Sequence, residues 1–201
     1  MTSTLFAHLE SHLALSLSAL AAAIAIGVPA ALLTAGRPFG RALALGGAGA
    51  LRVVPSVAVL TLTLPYLGLG FRPALLALIV LALPPIVVNT DLGLRSVPAP
   101  LREAALGMGM TAGQVRGRVE WPLALPLVLA GVRTAAVEVV ASATLASFIG
   151  GGGLGDLIVD GLATDDTGEL LLGAATVAAL ALVVDAVLAA AARATQPRGL
   201  A

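Results

Sequence analysis

Long apolar stretches alternate with short polar segments along the whole chain. A helix needs about 20 apolar residues to cross roughly 30 Å of hydrocarbon. Five stretches come close to that length and predict membrane spans at residues 13–34, 42–67, 73–89, 123–149 and 170–192. The third is short, and Pro84 and Pro85 should kink it near its end. The pattern predicts an all-α membrane protein, with residues 1–201 forming a single transmembrane domain.

Composition narrows the class of protein. Of the 201 residues, 59% are hydrophobic and 11% are charged, whereas a soluble domain carries about 25% charged residues. The net charge of zero argues against a nucleic-acid partner. There are no cysteines, which excludes disulfides and thiolate metal sites. His8 and His12 flank Glu10 without forming a zinc-binding HExxH motif, so we expect a solvated external turn there and no metal.

Arginines are unevenly divided between the two sides of the predicted membrane. Short loops rich in arginine stay in the cytoplasm. With the N-terminus outside, one side carries Arg72 and a run of aspartates. The other side then carries eight arginines: Arg37, Arg41, Arg95, Arg102, Arg116, Arg118, Arg193 and Arg198. The distribution predicts a multi-pass protein with its N-terminus outside and its C-terminus inside.

The polar segment at residues 91–122 falls on the predicted cytoplasmic side. Pro98 and Pro100 indicate a helix start, since proline suits the first helical turn. Thr111 with Gln114 forms a capping-box pattern for a second short helix, which Pro122 should close. Within the first helix, i, i+4, i+7 spacing predicts one shared face for Leu101, Ala105 and Met108.

Within this segment, Glu103-Ala104-Ala105-Leu106-Gly107 with a later Leu125-Pro126 resembles the EAA motif of ABC importer permeases. The alternative is an ordinary amphipathic loop helix. The resemblance implies the type I, MetI-like permease fold of a bacterial or archaeal cytoplasmic membrane. It also implies that this loop is a coupling helix seated in a groove of an ABC ATPase subunit. The residues so implicated are Arg102, Glu103, Ala104, Ala105, Gly107, Met108 and Gly109.

A wider match resembles the osmoprotectant branch of these permeases, which imports glycine betaine, choline and carnitine. The matching stretches are 107–111, 119–126, 130–134, Val54-Pro55-Ser56, Asn89-Thr90 and 150–155. Methionine-type permeases share the EAA loop and a similar glycine run, so a methionine or amino-acid importer is the alternative. Two alternatives belong to other classes of protein. An ion-coupled secondary transporter usually has internal repeats, and none are evident in this sequence. A membrane-embedded enzyme needs acidic residues that converge at one depth.

The chain is expected to work with several partners. It contains no lysine, so it lacks a P-loop; ATP and Mg²⁺ are expected on the partner ATPase, and no cofactor in this chain. Aromatic residues make up only 3% of the sequence, too few for a quaternary-ammonium cage. Substrate selection is therefore expected in an external binding protein. A second permease subunit should complete the path within the lipid bilayer.

Charged residues inside the predicted spans are candidates for the translocation path or an intramembrane network, because ionised groups in hydrocarbon are costly. Arg133 and Glu138 form either an ion pair or part of the path, and Asp185 is interpreted as structural. The full candidate set is Arg52, Pro55, Ser56, Asn89, Arg133 and Glu138. A glycine run without the preceding strand of a dinucleotide site is expected to form an external turn or gate: Gly150, Gly151, Gly152, Gly153 and Gly155.

Overall fold

The computed structural model describes residues 2–194, with side chains from residue 5 onward, and its regular structure is entirely helical. Arg198 and the remaining residues beyond 194 lie outside this description. The helices are α1 (Thr2–Thr34), α2 (Pro38–Val53), α3 (Ser56–Leu67), α4 (Phe71–Ser96), α5 (Ala99–Gly107), α6 (Ala112–Val115), α7 (Trp121–Ser142), α8 (Gly155–Ala163) and α9 (Thr167–Ala194). A π-helical segment (Arg116–Glu120) precedes α7, and a 3₁₀ segment (Ala143–Ile149) follows it.

Four helical stretches within the described residues are long and apolar enough to cross a membrane, by length and composition. These are Leu5–Thr34, Phe71–Ser96, Ala112–Ile149 and Thr167–Ala194. The pair α2 and α3 makes a fifth crossing only if the two are counted together, because they are bent by 92°. The all-helical membrane fold predicted above is confirmed.

The second predicted span, 42–67, is not one helix. Val54 is extended, with φ −75° and ψ 119°, and Pro55 then caps α3. A residue before proline is disfavoured in the helical region, and proline has no N–H to continue the hydrogen-bond ladder. Pro55 therefore separates two helices of sixteen and twelve residues.

The third predicted span, 73–89, extends further than its apolar residues. The helix α4 continues through Pro84 and Pro85, both buried, and ends at Ser96. Its last turns carry Asp91, whose carboxylate is 4% exposed and pairs with Arg41 and Arg95. Because these charges are paired, the helix continues through polar residues that the sequence pattern placed beyond its end. Because α4 ends at Ser96 and α6 begins at Ala112, the segment between them is shorter than the polar segment 91–122 predicted from the sequence.

Pro122 does not close a helix, contrary to the sequence prediction. The π-helical segment leads without a break into α7, and the Trp121 N–H donates to the Arg116 carbonyl five residues back. Pro122 cannot donate to a carbonyl in the preceding turn, and a π-bulge is one way for a helix to accommodate such a missing bond. The chain is therefore helical from Ala112 to Ile149.

The core is built around α4, which packs against α1, α2, α3 and α7. Small side chains permit these close contacts: Ala82 and Ala135 are completely buried, as is Ile86. A Cβ added at Gly93 would lie 2.8 Å from the Ala124 carbonyl oxygen, so the α4 and α7 backbones approach closely there. The long helix α9 packs mainly on α7 and α8 and has few buried residues.

Candidate functional site

The helix α5 presents most of the EAA-like residues to solvent. It begins where predicted, with Pro98 as its N-cap and a proline in its first turn. Glu103, Ala104 and Gly107 are exposed, whereas Ala105 is only 2% exposed and packs against its own chain. Ala105 is thus turned away from the surface that the other EAA-like residues present.

The predicted face of Leu101, Ala105 and Met108 is not buried as a unit. Leu101 is 44% exposed and Met108 is 77% exposed, while Ala105 is buried. The helix ends at Gly107, and Met108, its C-cap, has ψ near 5°, so helical spacing no longer applies to it. Met108 belongs instead to the exposed turn.

The turn after α5 depends on glycine, and the next helix on a capping box. Gly109 has φ 85°, a conformation that favours glycine. The Gln114 N–H donates to Thr111 Oγ1 at 3.3 Å, and the Thr111 N–H donates to Gln114 Oε1 at 2.8 Å. The predicted capping box is confirmed. Apart from its chain neighbours and the backbone of its own helix, no heavy atom of the described residues lies within 4 Å of a Cβ placed on Gly107, so that side of the turn is open.

Arg102 contacts other helices of the chain, whereas Glu103 is exposed. Its Nη2 donates to the Leu94 carbonyl in the last turns of α4 at 2.6 Å. Its Nε lies 2.8 Å from Glu120 Oε1, and Arg116 Nε lies 3.7 Å from the other oxygen of Glu120. Glu120 was not among the predicted site residues, and the only local signal for it is Arg116 four positions earlier.

The charges within the spans do not pair as one alternative proposed. Arg133 pairs with Asp185, joining α7 to α9, and its Nη2 donates to Asp185 Oδ2 at 2.6 Å. The Arg133–Glu138 ion pair is therefore wrong, because residues five apart on a helix point about 140° apart. Glu138 is exposed on α7, and its charge interacts with that of Arg52 near the end of α2.

The other candidate path residues lie at helix junctions. Pro55 and Ser56 start α3, and Ser56 lines a small cavity together with Ser142. Asn89 donates to the Pro85 carbonyl at 2.8 Å, and both lie against Gly131 of α7. Asn89 thus lies in the contact between α4 and α7.

The glycine run packs against α1. Gly150, Gly152 and Gly153 have positive φ, and a Cβ at Gly153 would lie 3.1 Å from His12 Nδ1. The other two glycines face close neighbours instead: a Cβ at Gly151 would lie 2.8 Å from the Cβ of Ala146, and one at Gly155 would lie 2.8 Å from the Cα of Thr144.

The prediction of a solvated turn around the two histidines is wrong. His12 is completely buried in α1, and its Nε2 lies 3.0 Å from the Val140 carbonyl. His8 Nδ1 lies 3.3 Å from Asp156 Oδ2. The helix α1 extends beyond the apolar run in the sequence, and Leu5 and Leu9 in its added turns pack on the cluster of Leu154, Leu157 and Val177. No group of three potential metal ligands occurs within the described residues.

Comparison with known proteins places this arrangement in a family. The model for "Binding-protein-dependent transport system inner membrane component" matches residues 23–198. The chain belongs to this family. It is 45% identical, over 87% of its length and 80% of the relative's, to the carnitine transport permease protein OpuCB of Listeria monocytogenes. It is 39% identical, over 94% and 87%, to the glycine betaine/carnitine/choline transport system permease protein OpuCB of Bacillus subtilis.

Solved structures share the fold of this inner membrane component. An inward-facing form of the MetNI methionine ABC transporter superposes with a TM-score of 0.86 at 22% identity, covering 98% of both chains. An amino acid ABC transporter with histidines gives a TM-score of 0.80 at 20% identity, covering 96% of this chain and 94% of the other. At these identities the likeness shows the fold alone, and it confirms the predicted MetI-like class.

Membership in the family shows what kind of assembly the protein belongs to. It is a multi-pass inner membrane component that works with a substrate-binding protein and an ATPase. A binding-protein-dependent family argues against the ion-coupled secondary transporter and the membrane-embedded enzyme.

Proposed function

We propose that the chain is the permease subunit of an ATP-driven importer for osmoprotectants such as glycine betaine, choline or carnitine. The observation that carries this proposal is the identity of 39–45%, over 87–94% of the chain, to permease proteins named for carnitine, choline and glycine betaine transport. The wider sequence resemblance at residues 119–126 and 130–134 supports the same branch.

The exposed face of α5 is the proposed docking surface for the ATPase. It presents Glu103 and Ala104 with two large apolar side chains, Leu106 at 51% and Met108 at 77% exposure. The open side of Gly107 leaves room for a partner surface to approach closely. ATP and Mg²⁺ bind the ATPase, and the movement of the ATPase is transmitted to this chain through α5.

The proposed path lies at the contact with a second permease subunit, identical or paralogous. Glu138 is an exposed carboxylate within α7, and the cost of ionised groups in hydrocarbon favours a wet or protein-covered surface over lipid. Arg52 and Ser56 near the break between α2 and α3 belong to the same region. The arginine distribution supports an N-terminus outside and the α5 loop inside the cell.

The docking proposal is tested by two substitutions in α5. Glu103→Lys reverses an exposed charge, and Gly107→Pro removes a backbone N–H from the last helical turn. Each should abolish co-purification of the ATPase and substrate-stimulated ATP hydrolysis. Glu10→Lys, which reverses an exposed carboxylate in α1, serves as the matched control. Survival of both the complex and its stimulated hydrolysis in the two α5 variants would show that α5 is not the dock.

The substrate proposal is tested with the partner binding protein and the assembled transporter. Binding and uptake of glycine betaine, choline, carnitine and methionine should be measured side by side. At least one of the three quaternary ammonium compounds should be bound and imported, and methionine should be neither bound nor imported. A methionine importer, the second candidate because of the MetNI fold likeness, would give the reverse result.

A further inference from the structure

Arg102 of α5 contacts two other parts of the chain: the Leu94 carbonyl of α4, and Glu120 in the π-helical segment that leads into α7. We infer that Arg102 and Glu120 form a mechanical joint through which movement of α5 reaches α4 and α7. The inference rests on the proposed function, because it assumes that an ATPase moves α5. It assigns Arg102 a positioning role inside the permease, distinct from the docking surface on the other side of α5.

The geometry of the guanidinium supports a two-way joint. Arg102 Nη2 donates to the Leu94 carbonyl of α4 at 2.6 Å, while Nε lies 2.8 Å from Glu120 Oε1. The Arg102 and Glu120 side chains are 34% and 16% exposed, so water screens the pair only partly. The Nε contact is an ion pair and not a hydrogen bond, since Nε has no hydrogen-bond partner of suitable geometry. The rigid guanidinium therefore donates to α4 while its charge lies against the Glu120 carboxylate, an arrangement that a lysine ammonium on a flexible stem does not reproduce.

The covalent connections of α5 do not by themselves fix its orientation. Val97 and Pro98 are extended at its start, and the positive φ of Gly109 turns the chain at its end. Such links constrain only the ends of the helix, and between them the buried side chain of Ala105 restricts its rotation. Arg102 lies within the helix, between these links, and its two contacts restrict that rotation.

The two helices held by Arg102 are themselves packed closely together. A Cβ at Gly93 would lie 2.8 Å from the Ala124 carbonyl oxygen. Gly93 directly precedes Leu94 on α4, and Ala124 lies four residues after Glu120. Glu120 ends the π-helical segment and leads directly into α7. A displacement transmitted to either contact therefore acts on α4 and α7 as one unit.

The test compares Arg102→Gln, Arg102→Lys and Glu120→Gln in the complete transporter with its ATPase and binding protein. The matched control is Arg118→Gln, since Arg118 is exposed in the same π-helical segment and forms no ion pair among the described residues. Two quantities are measured: uptake per ATP hydrolysed in proteoliposomes, and ATP-dependent fluorescence of a probe on Ala130→Cys. That exposed position on α7 provides a single label because the chain has no other cysteine.

Each of the three joint variants should still bind the ATPase and hydrolyse ATP, with uptake per ATP reduced by about tenfold or more. Loss of the hydrogen bond from the charged Arg102 to the Leu94 carbonyl is of that order, and Glu120→Gln removes the carboxylate charge of the ion pair. The ATP-dependent change of the α7 probe should shrink in parallel, and Arg118→Gln should behave as wild type. Glu120→Gln keeps the shape of the side chain, so it tests the joint even if the Arg102 variants fold poorly.

Two results would overturn the inference. Wild-type uptake per ATP and an unchanged probe response in Arg102→Gln and Glu120→Gln would mean that the contact transmits nothing. Loss of ATPase binding in the joint variants, as expected for Glu103→Lys, would place Arg102 in the dock. If wild type imports none of the compounds tested, the proposed substrate class fails, and the α7 probe still decides on the joint.

Discussion

Gly131 of α7 lies so close to α4 that even a single added methyl group should destabilise the protein. A Cβ at this position would lie 2.6 Å from the Pro85 carbonyl oxygen and 2.6 Å from the Cβ of Asn89. Since carbon atoms reach their optimal separation at about 3.5–4.0 Å, the two helices would have to move apart by roughly 1 Å. One of the obstructing atoms is backbone, so no change of rotamer relieves the contact.

The size of the effect follows from two opposing contributions. Overpacking in a close-packed interior costs about 1–3 kcal/mol, and contact with backbone favours the upper part of that range. Replacing glycine by alanine within a helix returns up to about 1 kcal/mol of helix propensity. Gly131→Ala should therefore lose about 1–2 kcal/mol of unfolding free energy.

Thermal unfolding of the purified protein in detergent measures this loss. For a chain of this size, about 1 kcal/mol lowers the midpoint by about 2–4 °C, so Gly131→Ala should melt about 2–8 °C below wild type. Gly113→Ala is the control, because outside its own helix and chain neighbours no heavy atom of the described residues lies within 4 Å of a Cβ at that position. It should melt at or above the wild-type temperature. A Gly131→Ala protein as stable as the control would refute the close approach of α4 and α7.

Two further predictions address local contacts. Arg133→Gln and Asp185→Asn should each lower the thermal midpoint by loosening α9 from α7, and exchange of the two charges in one protein should recover part of the loss; no recovery would contradict the pairing. Thr111→Ala should cost about 1 kcal/mol of stability through loss of the N-cap, whereas Thr111→Ser should retain it, and equal melting of the two variants would show that the capping bond contributes nothing.

Proline illustrates why helix boundaries were only partly predictable from the sequence. Pro29 and Pro126 lie inside continuous helices, as do Pro84 and Pro85, whereas Pro55 separates two helices. The local effect of proline is the same at each position. The outcome depends on whether neighbouring packing supports a helix on both sides, and a linear sequence does not contain that information.

Contacts between distant residues show the same limit in the candidate site. Arg133 pairs with Asp185, which lies 52 positions away on α9. Arg102 pairs with Glu120, which lies beyond the turn that follows α5. The burial of His12 depends on the Val140 carbonyl, 128 positions away. Each pairing arises from how the helices pack. Sequence spacing therefore left the nearby Glu138 as one possible partner of Arg133, and it predicted a solvated His12.

The sequence by itself determined the membrane class, the α5 start, the capping box and the resemblance to ABC importer permeases. These features depend on hydropathy within one span or on hydrogen bonds between residues a few positions apart, which composition and spacing encode directly. Only the tertiary structure decided which side of α5 is exposed, which charges pair across helices and where Glu120 contributes. Those properties depend on the relative placement of α4, α5, α7 and α9, which close packing at residues such as Gly93 and Gly131 produces.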